Sequence, residues 1–215
     1  MKEYLTIGKR SKTEFVEKRS RFIGSAFPVN NREEAERIVS ELKSEYWDAK
    51  HNVFAYILRE GNVKRFSDDG EPQGTAGMPV LDVIEKQGLC DVLVVVTRYF
   101  GGVLLGTGGL VRAYSHSAAL AIEAAKPVLM TPATECFLSC DYSSYGTIQV
   151  FLNNEECKDI TSVFEDDVKI NFYVKSDNLS GFENRLTELS NGKIELIKKS
   201  EKFLPLKKSE KFLPF

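Results

Sequence analysis

The residues best equipped for chemistry lie between Ser67 and Tyr114, in RFSDDGEPQGTAGMP and VVVTRYFGGVLLGTGGLVRAY. Each glycine cluster follows a strand-like run or precedes a helix-like one, and a backbone without Cβ lets a ligand come close. The amides of Gly108 and Gly109, at the start of a helix, form a natural anion seat, and Arg98 and Arg112 could add charge to it. Gly101, Gly102 and Gly106 shape the same loops. The spacing fits neither a P-loop nor a Rossmann-type glycine motif, so nucleotide binding of those kinds is not supported. The bland alternative is that these glycines only make tight turns and helix-on-sheet contacts.

Asp68, Asp69 and Glu71 stand within four residues, where hard oxygens could hold a divalent cation or supply a general base. Asp-Asp-Gly is also ordinary turn chemistry, with carboxylates accepting local amides. His51 opens a strand and His116 lies one turn beyond Arg112 on a helix, and no Ser-His-Asp or Cys-His order joins them. A possible polar site is therefore His51, Asp68, Asp69 and Glu71. No catalytic constellation, metal site or cofactor is expected.

Basic residues stand beside aromatic ones at Arg21-Phe22, Arg65-Phe66, Arg98-Tyr99-Phe100 and Arg112 with Tyr114. Such a surface could stack the bases of single-stranded RNA. Tyr99 and Tyr114, with polar tips, are the better stacking candidates, and Phe22, Phe66 and Phe100 the better core candidates. The expected ligand- or RNA-binding residues are thus Arg21, Arg98, Tyr99, Gly101, Gly102, Gly106, Gly108, Gly109, Arg112 and Tyr114.

Charge says where a polyanion would go. Residues 1–130 hold 18 basic and 17 acidic side chains, residues 131–197 hold 5 and 12, and residues 198–215 hold 6 and 2, giving +1, −7 and +4. The first 21 residues carry seven Lys or Arg against three Glu, so RNA should meet the N-terminal part. The 215-residue chain has 42% hydrophobic and 28% charged residues, which excludes whole-chain disorder and collagen-like structure. Its longest aliphatic run, Val92 to Val96, is far too short for a membrane span, and the start MKEYLTIGKRSK lacks a signal-peptide core. Cys90, Cys136, Cys140 and Cys157 show no CxxC pairing and read as reduced thiols. A cytoplasmic protein is expected.

The elements that must position these residues follow from periodicity. Strands are expected at Thr13–Ser20, Arg21–Val29, Asn52–Arg59 and Val63–Phe66. A helix from Asn31 buries Ala35, Ile38, Val39 and Leu42, and a short one is framed by Pro79 and Gly88. The β-branched run Asp91 to Thr97 demands a central strand covered on both faces, and an Ala-rich helix follows from Leu110 to Ala125. KPVLMTPAT, punctuated by Pro127 and Pro132, marks a boundary, giving domains at 1–130 and 131–200 and a tail at 201–215. The second domain reads β-α-β-β-α-β: strand Glu135–Tyr142, helix Tyr145–Asn153, strands Ile160–Phe164 and Val168–Val174, helix Leu179–Leu189, strand Lys193–Ile197. That order suggests a ferredoxin-like domain. The chain closes on KKSEKFLPL and KKSEKFLPF; the first copy suffices to finish an edge strand, and the second is an appended segment able to join two copies into a homo-oligomer.

At KRSRFIGSA (Lys18 to Ala26), HNVFAY (His51 to Tyr56), FSDDGEPQGTAGMP (Phe66 to Pro79) and TRYFGGVLLGTGGLVRAYS (Thr97 to Ser115) the sequence closely resembles the Impact/YigZ family, of the bacterial two-domain type. The resemblance implies an α+β fold: a domain like domain 2 of ribosomal protein S5 (S5 domain 2-like), followed by the ferredoxin-like domain. It implies a non-enzymatic cytosolic regulator linked to translation and stress response that binds RNA, the ribosome or a translation factor. The kinase-pathway partner of eukaryotic members belongs to a further N-terminal domain and is not carried over. Val53 stands where many bacterial relatives have Cys, which argues against a thiol nucleophile there. The alternative is a phosphate-ligand enzyme, a hydrolase or transferase, using the glycine loop with Asp68, Asp69 or Glu71.

Overall fold

A strand with no polar face needs cover on both sides, and the run after Asp91 obtains it. The computed structural model describes residues 2–206 and divides into two units, Tyr4–Leu129 and, with Glu3, Met130–Leu206. The first contains β1 (Tyr4–Ile7), β2 (Ser11–Glu17), β3 (Ser20–Pro28), α1 (Arg32–Glu45), β4 (His51–Leu58), β5 (Val63–Ser67), α2 (Gly77–Lys86), β6 (Val92–Tyr99) and α3 (Thr107–Ala124). Its antiparallel sheet has the order β2-β3-β6-β4-β5, with β6 in the middle. On one face α1 packs Ile38 and Leu42 against Ile23, Tyr56, Leu93 and Val95. On the other, α2 and α3 pack Val80, Ile84, Ala118 and Ile122 against Phe22, Val53, Val94 and Val96.

Two contacts explain how closely the elements sit. A Cβ on Gly24 of β3 would stand 2.6 Å from the Ser117 carbonyl oxygen, so only glycine lets the small-residue face of α3 lie this near the strand. The β2–β3 hairpin turns earlier than the sequence predicts, at Lys18 and Arg19, whose φ angles are 46° and 66°. Two left-handed residues make a tight turn whose twist matches the strands, but its usual signature is Asn-Gly rather than Lys-Arg. Helix α3 also starts earlier, with Gly106 as its cap, which draws Gly108 and Gly109 into its first turn.

The second unit contains β7 (Pro127–Cys140), α4 (Tyr142–Asn154), β8 (Lys158–Phe164), β9 (Val168–Lys175), α5 (Leu179–Ser190) and β10 (Ile197–Leu206). Its strands run β10-β7-β9-β8, and α4 and α5 share one face, packing Ile148, Leu152, Phe182 and Leu186 on Leu138, Ile170 and Phe172. The last strand lies at Ile197–Leu206 rather than Lys193–Ile197 and runs through the first nonapeptide, the copy that the sequence reading assigns to the edge strand, so residues 201–206 belong to the sheet rather than to a tail. Strand β7 runs through Pro132, which precedes Ala133, the first residue that it pairs with β9. The second nonapeptide lies outside the described residues. Mixed α+β architecture with two antiparallel sheets and five α-helices is thus established for those residues. Among them no helix is long and apolar enough to cross a membrane.

Candidate functional site

Strand register assembles the site before any loop does. Phe15 stands opposite Phe22, Phe22 opposite Arg98 and Arg98 opposite His51, one row across four strands on the face covered by α2 and α3. The next row pairs Arg21 with Tyr99, and because side chains alternate, it points to the α1 face. Arg98 and Tyr99, neighbours in sequence, therefore lie on opposite sides of the sheet.

The β5–α2 loop brings Glu71 to the first row, and α3 brings Tyr114. Arg98 Nη1 donates to Glu71 Oε1 at 2.6 Å, and the Tyr114 hydroxyl donates to the same oxygen at 2.7 Å. His51 Nε2 lies 3.8 Å away. His51 Nδ1 is 2.9 Å from the Asp69 carbonyl oxygen; a carbonyl only accepts, so Nδ1 carries the proton and Nε2 faces the carboxylate. The expectation that Arg98 and Tyr114 meet RNA is corrected here: they are 5% and 0% exposed. A buried carboxylate requires a countercharge and donors, and both side chains are committed to Glu71. Burial, then the nearby Glu71 charge, pushes the Tyr114 phenol well above its usual range, so the hydroxyl stays a donor. The Arg98 guanidinium lies 5.5 Å from the centres of both the Phe22 and Phe100 rings. Its Nε has no hydrogen-bond partner among the described residues.

The other two carboxylates go elsewhere. Asp68 accepts from the amides of Gly74 (2.8 Å), Ala76 (3.1 Å) and Gly77 (2.8 Å), and so serves as the cap that α2 lacks at Ala76. Asp69 accepts from the Asn52 amide at 2.7 Å and from Lys43 Nζ at 2.5 Å. Three acidic residues within four positions are thus split over three tasks, and do not converge on one metal or one base. The aromatics divide unexpectedly as well: Phe22 fills the core, while Phe66 and Phe100 are 41% and 47% exposed.

What remains open to solvent is the start of α3. No side chain caps it, and its first intrahelical bond runs from the Leu110 amide to the Gly106 carbonyl at 2.9 Å. The amides of Thr107, Gly108 and Gly109 precede that bond and have no protein partner among the described residues. Arg112 is exposed and lines a cleft of about 240 Å³ with Gly109, Lys18, Glu17 and His116. Gly101 fixes the neighbouring hairpin: a Cβ there would lie 2.0 Å from the Arg19 carbonyl carbon, and its amide donates to Ser20 Oγ at 3.2 Å. Gly102 and Gly106, at φ 81° and 72°, turn the chain from β6 into α3. On the α1 face, exposed Arg21 lies 5.5 Å over the Tyr99 ring and pairs with Glu14 at 2.8 Å, while the Tyr99 hydroxyl donates to Asp48 at 2.7 Å. Sequence reasoning missed Lys18 and Arg19 as turn residues, of which Lys18 carries positive charge to the α3 cleft. The adjacent basic pair between two strand patterns was the available signal.

Two families match the sequence of this chain: the Impact N-terminal domain over residues 18–122, and a domain of unknown function (DUF1949) over residues 138–193. IMPACT family member YvyE of Bacillus subtilis (strain 168) is 36% identical over 199 residues, covering 92% of this chain and 91% of that protein. The chain belongs to the IMPACT family. Among its other relatives, IMPACT family member YigZ of Escherichia coli (strain K12) is 34% identical over 187 residues, covering 86% of this chain and 92% of that protein. Protein IMPACT of Oryctolagus cuniculus is 34% identical over 94 residues, 42% of this chain and 30% of that protein. A solved structure titled "Crystal structure of an hypothetical protein" superposes with a TM-score of 0.59 at 32% identity, covering 93% of this chain and 98% of that one. The IMPACT N-terminal match contains His51, Glu71, Arg98 and Tyr114 and every residue of the α3 cleft except Phe15 and Glu17, which precede it.

Proposed function

We propose that the protein is a non-enzymatic regulator linked to translation that binds RNA, free or within the ribosome, through the N-terminal unit at the start of α3. The observation that carries this is the uncapped first turn of α3 beside exposed Arg112 and Lys18. Three amides at the positive end of a helix and two cations suit a phosphate and discriminate little between bases. The exclusion of Asp68, Asp69 and Glu71 from any shared site weighs against the hydrolase or transferase alternative. The four free thiols fit a reducing compartment such as the cytoplasm. The second unit is read as ferredoxin-like from its β-α-β-β-α-β order and its β10-β7-β9-β8 sheet, and the first as S5 domain 2-like from the family resemblance.

Filter binding of a structured RNA at low salt tests the reading. Lys18→Ala with Arg112→Ala should weaken binding about tenfold or more and flatten the slope of log Kd against log salt by roughly 1 to 2, one phosphate contact per cation. Equal affinity in the double variant, or no RNA binding by the wild type, overturns it.

A further inference from the structure

The second unit keeps both helices on one side of its sheet, and the other side has a composition of its own. Along β9, Ile170, Phe172 and Val174 face the helices, so Lys169, Asn171, Tyr173 and Lys175 line the opposite face; along β7, Cys136 and Leu138 face inward and Phe137 outward. Register sets Phe137 opposite Asn171 and Glu135 opposite Tyr173. The two half-buried rings are therefore diagonal neighbours on the adjacent inner strands, within reach of two successive bases. Lys199 lies 5.3 Å over the Phe137 ring and donates to Asn171 Oδ1 at 2.9 Å, and Lys202 lies 3.7 Å over the Tyr173 ring and 3.8 Å from Asp159.

Charge on this unit is unevenly spread. Its carboxylates sit mainly on helices and turns, as at Asp141, Glu155, Glu165 and Glu183. The helix-free face carries Lys169, Lys175, Lys199 and Lys202 beside Glu135; Lys175 pairs with Glu3 at 3.2 Å, Lys169 with Glu165 at 2.5 Å and Lys202 with Asp159 at 3.8 Å, while Lys199 donates to Asn171. Lys199 and Lys202, which stand over the two rings, are the cations placed to meet a phosphate beside a stacked base. Rings on inner strands flanked by flexible ammonium groups offer each base a flat partner and each phosphate a cation, and base stacking outweighs an exposed lysine–ring contact.

We infer that this sheet face binds single-stranded RNA, with successive bases stacked on Phe137 and Tyr173, Asn171 available to a base edge, and Lys199 and Lys202 turned from the rings to phosphates. This goes beyond the α3 contact: it uses other residues and stands if that contact fails. Anisotropy of a fluorescein-labelled 12-mer oligouridylate, with the full chain at low salt, tests it. Phe137→Leu with Tyr173→Leu keeps apolar packing and removes the flat rings, and should weaken binding about tenfold or more. Lys199→Gln with Lys202→Gln should flatten the salt slope by about 1.4. The fold-loss in affinity caused by the ring variant should be the same in a Lys18→Ala, Arg112→Ala background as in the otherwise unchanged protein, which separates the two surfaces. Wild-type affinity in the folded ring variant overturns the inference, as does no binding by the wild type. If the ring variant does not fold, the exposed-lysine variant decides alone, and an unchanged slope overturns the inference.

Discussion

Glu71 shows how much one side chain can organise. It comes from a loop, yet its oxygen takes hydrogen bonds from a strand residue, Arg98, and a helix residue, Tyr114, and so ties the β5–α2 loop to both layers. Removing one member of a buried ion pair strands the other charge, so Glu71→Ala is expected to cost about 3–5 kcal/mol. Replacing both partners, Glu71→Leu with Arg98→Met, should recover most of that loss. A urea-denaturation cycle on the two single variants and the double variant measures the coupling, and an additive result would mean that the pair does not act as a unit. The residue types Glu, Arg, Tyr and His were visible in the sequence. Their convergence was not, because Arg98 and Glu71 are 27 positions apart.

At the level of elements, α2 begins without a local capping side chain and borrows Asp68 from eight residues upstream. Asp68→Ala should therefore destabilise the protein by about 1–2 kcal/mol through α2, whereas Asp68→Asn, which keeps an acceptor, should cost less. Amide exchange in α2 reads this directly: unchanged protection of Gly77 and its neighbours in Asp68→Ala would rule out the cap. Helix α3 depends on Gly24 in another way, since a methyl there would press on the helix backbone. Gly24→Ala should cost about 1–3 kcal/mol and loosen α3 from the sheet. Most elements could be read from periodicity, as with Ala35, Ile38, Val39 and Leu42 on α1. The misplaced ends, at Lys18–Arg19, Gly106 and β10, are places where backbone dihedrals or sheet pairing decided the boundary.

Across the whole chain, electrostatics and burial set the response to pH. Burial pushes the Cys136 thiol up to about 11 and the Cys157 thiol up to about 12. A folded-state value above the unfolded one favours the protonated, folded protein. The stability these thiols contribute is complete below about 9 and is lost as pH rises toward 11 and 12. The urea midpoint should thus fall over that window, and Cys136→Ala with Cys157→Ala should reduce the steepness of the fall even if it lowers the midpoint throughout; an unchanged steepness would assign the alkaline loss to other groups. By itself the sequence determined the family, through four long motifs, and the class of most elements, through hydrophobic period, because both are written in contiguous residues. Only the tertiary structure decided which chemistry is available. Strand register turned Arg98 inward and Tyr99 to the other face, burial committed Tyr114 to Glu71, and pairing of β7 with β9 made Phe137 and Tyr173 diagonal neighbours on one face. The reason is physical: a strand's side chains alternate at every residue, so a function that depends on one face is fixed by long-range pairing and not by which residues are neighbours in the chain.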